Sequence, residues 1–171
     1  MFRSLCLSLI ALISLSIVGP LAVDQAFAQT STSGLALPRF VSLRAAEVNL
    51  RTGPGVQYPI EWVYRKSGLP LEIIAEYKAW RKVRDWQGSQ GWVHQTMLSS
   101  SRGFIVSGGT RDILAQSKPG GRVIAQAQIG VSGKLIACPT KSPFCRVEVE
   151  GFDGWLNRAD FWGVSRGEVF K

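Results

Sequence analysis

The sequence predicts an all-β fold built from two small units in tandem, and three observations carry the prediction. From Phe40 onward, short runs rich in Val, Ile, Tyr and Trp are punctuated by Gly and Pro. Between residues 40 and 163 no stretch has a long helical period with caps. One pattern also occurs twice. Leu71-Glu72-Ile73-Ile74-Ala75 leads to Trp80-Arg81-Lys82-Val83 and then to Gly91-Trp92-Val93-His94. Gly133-Lys134-Leu135-Ile136-Ala137 leads to Phe144-Cys145-Arg146-Val147 and then to Gly154-Trp155-Leu156-Asn157.

Taken in order, residues 1–28 read as a secretory signal peptide. A basic start at Arg3 precedes an apolar run from Leu5 to Val18, and Ala26-Phe27-Ala28 supplies a cleavage pattern. Export to the periplasm or beyond follows as an expectation, with no transmembrane segment left after cleavage. Residues 29–38 are rich in Ser, Thr, Gly and Ala and are expected to form a flexible leader. The first unit occupies 39–98, with strands expected at Val48–Arg51, Glu61–Tyr64, Leu69–Glu76, Arg81–Asp85 and Gln90–His94. A single helical turn at Gln95-Thr96-Met97-Leu98 closes it. The polar stretch 99–103 is a linker, residues 104–163 the second unit, and 164–171 a tail.

Val48 to Gly55 has the clearest local logic. Val48 and Leu50 alternate with Asn49 and Arg51, so the apolar pair faces one side of a strand and the polar pair the other. Thr52-Gly53-Pro54-Gly55 then stops the strand, because Pro54 has no N–H to give a ladder.

The chain holds 20 Lys and Arg against 12 Asp and Glu, a net charge of +8. Arg3 and Asp24 cancel, so signal cleavage leaves that balance intact. Dispersed positive charge favours loose attraction to anionic envelope polymers, and export makes nucleic acid the least expected partner. Catalysis finds little to work with. His94 is the only histidine, so no Ser-His or Cys-His pair exists without it. Carboxylates are sparse and show no metal-binding spacing. The expectation is a non-enzyme with no cofactor and no metal.

Val48-Asn49-Leu50-Arg51-Thr52-Gly53-Pro54, Tyr58, Lys66-Ser67-Gly68, Trp80-Arg81-Lys82-Val83 and Gly91-Trp92-Val93, in that order and spacing, resemble the bacterial SH3-like family. The fold this implies is two tandem SH3-like barrels, the second divergent. In the second, Leu114-Ala115-Gln116-Ser117 stands where Asn-Leu-Arg-Thr is sought, Pro119-Gly120 echoes Pro54-Gly55, and nothing matches Tyr58. The resemblance also implies that Trp92, and by extension Trp155, lines the core, with Val83 and Ile74 facing it. It implies a binding module for peptidoglycan or its peptide stems, with a groove formed by Asn49, Arg51 and Tyr58 and with Trp80 nearby. A periplasmic protein–protein adaptor is the alternative. Trp62, Trp80 and Trp86 are more rings than so small a barrel hides easily, and they either contact ligand or pack against the second unit.

Cys138 and Cys145 remain after cleavage, an even count that favours a disulfide over a reduced buried pair. Aligning the two copies places Cys138 at the position of Glu76 and Cys145 at that of Arg81. An exposed Glu76–Arg81 ion pair is expected in the first copy. A disulfide staple is expected across the longer Pro139–Phe144 turn of the second.

Overall fold

A computed structural model describes residues 31–171; the predicted signal peptide lies outside the described residues. Two seven-stranded antiparallel sheets contain the strands. The first holds β1 (Arg39–Leu43), β2 (Val48–Arg51), β3 (Ile60–Tyr64), β4 (Pro70–Tyr77), β5 (Trp80–Arg84), β6 (Gln90–His94) and β7 (Leu98–Ser99), in the order β3-β2-β6-β5-β4-β1-β7. The second holds β8 (Gly103–Val106), β9 (Arg111–Leu114), β10 (Val123–Ala127), β11 (Ser132–Ala137), β12 (Phe144–Val149), β13 (Phe152–Asn157) and β14 (Phe161–Trp162), in the order β10-β9-β13-β12-β11-β8-β14. Adding seven to each strand number turns one order into the other, so the repeated pattern is a repeated topology. A single 3-10 turn precedes the last strand of each sheet, at Gln95–Met97 and Arg158–Asp160. Among the described residues no helix is long and apolar enough to cross a membrane.

Each sheet curls around its own core. Leu43, Leu50, Leu71, Ile73, Val83 and Val93 are among the buried residues of the first, and Phe104, Val106, Ile113, Leu135, Val147 and Leu156 of the second. Strand parity decides membership. Val83 pairs with Gly91 and Arg81 with Val93, so Lys82 and Trp92, paired between them, point to the other face. This corrects the expectation for Trp92 and Trp155: both are half-buried on the outer face, and Val93 and Leu156 fill the cores. Ile74 is likewise displaced from the core. A bulge between Ile73 and Ala75 breaks the alternation and gives the inner position to Ile73.

The register also corrects the alignment of the second copy. Arg51 pairs with Trp92 and Leu114 with Trp155, so Asp112-Ile113-Leu114-Ala115, two residues earlier than expected, occupies the place of Asn49-Leu50-Arg51-Thr52. Buried Ile113 is the counterpart of buried Leu50. Strand β1, not among the expected strands, is the partner that β4 needs on its second side.

The 76/81 and 138/145 equivalence holds at the level of register. Glu76 pairs with Arg81 across β4 and β5. Cys138 and Cys145 are joined by a disulfide at the same place, with 4.3 Å between their Cα atoms. The ion pair is not exposed, however. Arg81 Nε lies 3.2 Å from Glu76 Oε1, and the Glu76 side chain is wholly covered. Its cover is the leader, which is docked rather than loose. Thr32 Oγ1 donates to Glu76 Oε2 at 3.0 Å, and Ser33 donates to the carboxylate through N at 2.8 Å and Oγ at 2.8 Å. Arg39 Nη2 adds a bond at 2.5 Å, and Leu37 packs against the core. The tail mirrors this in the second barrel. Cys138 N donates to Phe170 O at 2.9 Å, and Val164 and Phe170 pack against that core.

The barrels meet through Phe40 and Trp162, whose rings stand edge to face with centroids 4.8 Å apart. Arg102 lies between them, 5.8 Å from the Phe40 centroid and 5.2 Å from that of Phe170, and is bonded to Glu168 at 2.8 Å. Beside it Gly103 passes the Gly68 carbonyl so closely that a Cβ would sit 2.1 Å from the oxygen.

Two outcomes follow from these closures. Burial pushes the Glu76 carboxyl up, but the bonds from Arg39, Ser33 and Thr32 outweigh it and hold the group at about 2. A carboxylate depressed in the folded state contributes stability above its unfolded value and loses it as pH falls. Melting temperature should therefore drop as pH falls from about 4.5 towards 2, a dependence that Glu76→Gln should flatten. For the disulfide, alkylation without reduction should find both thiols blocked. Reduction should destabilise the second barrel by about 2.5 kcal/mol, the chain-entropy value for so small a ring.

Candidate functional site

The outward face of β2, β6 and β5 gathers most of the residues that sequence reasoning singled out. Arg51, Trp92 and Lys82 form one row across the three strands, each paired with the next. Trp80 pairs with His94 one step along, and continuing the β2–β6 register brings Asn49 level with His94. The Trp80 and His94 rings stand edge to face, 5.3 Å between centroids. Asn49, Arg51 and Trp80 are thus brought onto one face, with Trp92 and His94 between them. Neither was singled out for that role. Strand parity was the signal that could have found Trp92, since Val83 and Val93 on the core side force it outward.

Local chemistry fixes each member. His94 Nδ1 accepts from Thr96 N at 3.4 Å and sits 2.8 Å from Thr96 Oγ1, capping the 3-10 turn. Asn157 caps the equivalent turn through Ala159 N at 3.0 Å. The histidine is therefore engaged structurally, in a position that an asparagine fills in the other barrel. Arg51 also has structural work. Its Nη1 donates to Val56 O at 3.1 Å and Tyr58 O at 2.8 Å, bracing the turn that follows β2. The Tyr58 ring, 40% exposed, lies over Gly53, where any Cβ would come within 2.4 Å of it. Tyr58 is thus set beside the three-strand face in the adjoining turn.

The first barrel has a further polar centre at the β5–β6 turn. Tyr64 donates to Asp85 Oδ2 at 3.1 Å, and Asp85 Oδ1 accepts from Gln87 N and Ser89 N at 3.0 and 2.9 Å. Burial, with the Asp85 carboxylate beside it, pushes the Tyr64 phenol up. The arrangement holds Trp86 at the tip of the turn. Among the described residues, no group of three or more His, Cys, Asp or Glu is placed to hold a metal ion.

In the second barrel the outer face is changed at most points. Asp112 stands for Asn49, Leu114 for Arg51, buried Phe144 for Trp80 and Asn157 for His94. Arg146 replaces Lys82 and is tied to Asp153 by bonds of 2.8 and 2.6 Å.

A family model described as the bacterial SH3 domain matches residues 44–100. Those residues belong to the bacterial SH3 domain family. The match spans β2 to β7, so the three-strand face and the Tyr58 turn lie within the SH3 domain. No curated protein matches the chain. Solved structures of NlpC2 and NlpC1 from Trichomonas vaginalis are similar at 11% and 12% identity, each with a TM-score of 0.34. The alignments cover 73% and 77% of this chain; it spans about half the length of those proteins, 48% of each.

The division of faces predicts opposite outcomes for neighbouring SH3-domain residues. Leu50→Ala should cost about 2–5 kcal/mol, as for a buried leucine. Trp92→Ala should cost well under half of that in a denaturant titration, despite the larger side chain removed. Equal losses would place Trp92 back in the core.

Proposed function

We propose that the bacterial SH3 domain binds peptidoglycan or related cell-envelope material, without catalysis, through the outward face of β2, β6 and β5. The observation that carries this reading is the row of Arg51, Trp92 and Lys82 beside the edge-to-face pair of Trp80 and His94. Rigid rings supply contact area to sugar at low entropic cost, and the neighbouring cations suit the carboxylates of peptide stems. Tyr58 extends the aromatic surface into the adjoining turn, and Asn49 adds an amide at its edge. The family match supports a cell-wall binding role. The Cys138–Cys145 disulfide supports an extracytoplasmic location, where such bonds persist.

Co-sedimentation of the mature protein with purified sacculi tests the reading. Binding should persist at salt high enough to screen exposed charges beyond a few ångströms. Trp80→Ala and Trp92→Ala should each weaken it about tenfold, the loss expected for removing an aromatic anchor. Attachment that vanishes with moderate salt and is indifferent to both substitutions would reduce the interaction to the net charge of +8.

A further inference from the structure

The three-strand face makes no use of the cleft between the barrels. A cavity of about 410 Å³ lies there, walled by the end of β1, the turn before β4, the 99–103 linker and β11. Three cations line it, Arg44, Arg102 and Lys134, and no carboxylate does. Arg102 is paired with Glu168 at 2.8 Å, and Lys134 lies a loose 3.5 Å from Glu148. Arg44 is exposed and forms no ion pair among the described residues. Glu47, the acid closest to it in sequence, lies 3.5 Å from Arg65 instead. With both paired carboxylates counted against the three cations, the cleft is still positive, and Arg44 carries the excess.

Two hydrogen-bond donors in the same lining have nothing to bond. Among the described residues three buried side-chain polar atoms lack a partner, and Ser42 Oγ and Arg102 Nε are two of them. Ser42 is 1% exposed, so bulk water does not satisfy its hydroxyl, a cost that folded chains ordinarily avoid.

The second barrel shows that the fold does not ask for these residues. Ser42 pairs with Ser99 in the first, and at the same register Ile105 pairs with Trp162 in the second. Ser107 is the counterpart of Arg44: their backbone N–H groups donate to Asp160 O and Met97 O, at equivalent points of the two 3-10 turns. Room is short beside Gly103, whose Cβ would stand 2.9 Å from Ser42 Oγ, but alanine would meet that need without a hydroxyl. Folding therefore accounts for neither the orphaned serine nor the free arginine.

We propose that this cleft binds the phosphate group of a phosphoester. A tetrahedral oxyanion accepts hydrogen bonds from all sides, which matches donors that arrive from both barrels and from the linker. A planar carboxylate would leave most of them idle. Arg44 and Lys134 hold the outer oxygens together with the Ser67 and Ser101 hydroxyls, and Ser42 Oγ and Arg102 Nε supply the inner donors. Ser101 is free to donate, because its oxygen already accepts from Ser99 at 3.0 Å. The carbon part of the ester lies against Ile136, the least buried of the apolar lining residues. The cleft shares no residue with the wall-binding face and stands or falls independently of it.

Two-dimensional amide NMR of the full mature protein, titrated with glycerol 3-phosphate, tests the proposal beside flotation on phosphatidylglycerol vesicles. Glycerol 3-phosphate should shift the amides of Arg44, Ser67, Gly68, Ser101, Arg102 and Lys134 saturably. Acetate at equal concentration should act several times more weakly, and glycerol should move nothing. Saturation by glycerol 3-phosphate assigns a soluble phosphoester, and binding to the vesicles alone assigns a lipid headgroup; either bears the proposal out. In whichever assay responds, Arg44→Gln should weaken binding about tenfold, the loss expected for one hydrogen bond to a charged group. Ser42→Ala should weaken it severalfold without lowering the melting temperature, because the hydroxyl has no partner to lose. Arg122→Gln removes an exposed arginine outside the cleft and should leave binding unchanged. The proposal is overturned if neither probe binds, if acetate moves these amides equally, or if Arg44→Gln leaves the response intact. It is also overturned if Arg122→Gln weakens binding as much as Arg44→Gln, which would leave net charge as the whole of the attraction.

Discussion

Both barrels depend on holding one hairpin shut at the same register position. In each, the central hairpin bulges two residues before its closing pair, at Ile74 and at Ile136, and a bulge weakens the ladder where the turn begins. The first barrel answers with charge: Glu76 accepts from Arg39 and the leader and is ion-paired with Arg81, its own side chain wholly covered. The second answers with a covalent bond. These solutions differ in kind. A buried ion cluster stabilises only while every partner is present, because removing one leaves a charge desolvated and unpaired. A disulfide acts largely through the unfolded chain and is indifferent to pH in the acid range. Each closure also recruits a segment from outside the barrel strands, the leader at Glu76 and the 164–171 segment at Cys138.

The form of the closure reaches the surface. In the first barrel the turn is only Lys78-Ala79, between the pair Tyr77 and Trp80, so Trp80 sits at the end of the ladder and leans on His94. In the second, the longer turn is tied to the β9–β10 connection, Ser142 bonding to Ser117 at 2.9 Å, and Phe144 is buried. The same position in the fold is thus a half-buried aromatic on the outer face in one copy and a buried one in the other. The copy with the charged closure keeps its outer face open.

Much of the fold was legible because β structure writes itself in alternation. Val48–Arg51 and Gln90–His94 have the boundaries their patterns imply, and the match of Glu76 with Cys138 survives in three dimensions because it rested on two aligned strands. What failed did so where alternation was interrupted or ignored. The bulge moved Ile74 outward, and the inward Val93 excluded its neighbour Trp92 from the core. The Asp112–Ala115 segment went unnoticed because Leu114 takes the place of Arg51 and only the buried Ile113 keeps the apolar character of its counterpart. Docking of the leader left no periodic trace, since it depends on three hydrogen bonds to a distant carboxylate. The candidate face was half legible: the family resemblance pointed to Asn49, Arg51, Tyr58 and Trp80, but the row linking Arg51 to Trp92 and Lys82 needed the register of β6.

The passage of Gly103 beneath the Gly68 carbonyl has a consequence for the molecule as a whole. The two barrels touch there with nothing larger than a hydrogen between backbone and backbone, and Phe40, Trp162 and Arg102 pack around that point. A single added methyl group there would force the two backbones apart, since it would lie 2.1 Å from the Gly68 oxygen. Two residues beyond Gly103, Ile105 joins Trp62, Trp86, Leu69 and Pro70 of the first barrel in lining a groove of about 370 Å³. That groove is in this way a property of the pair, walled by residues of both barrels rather than by one.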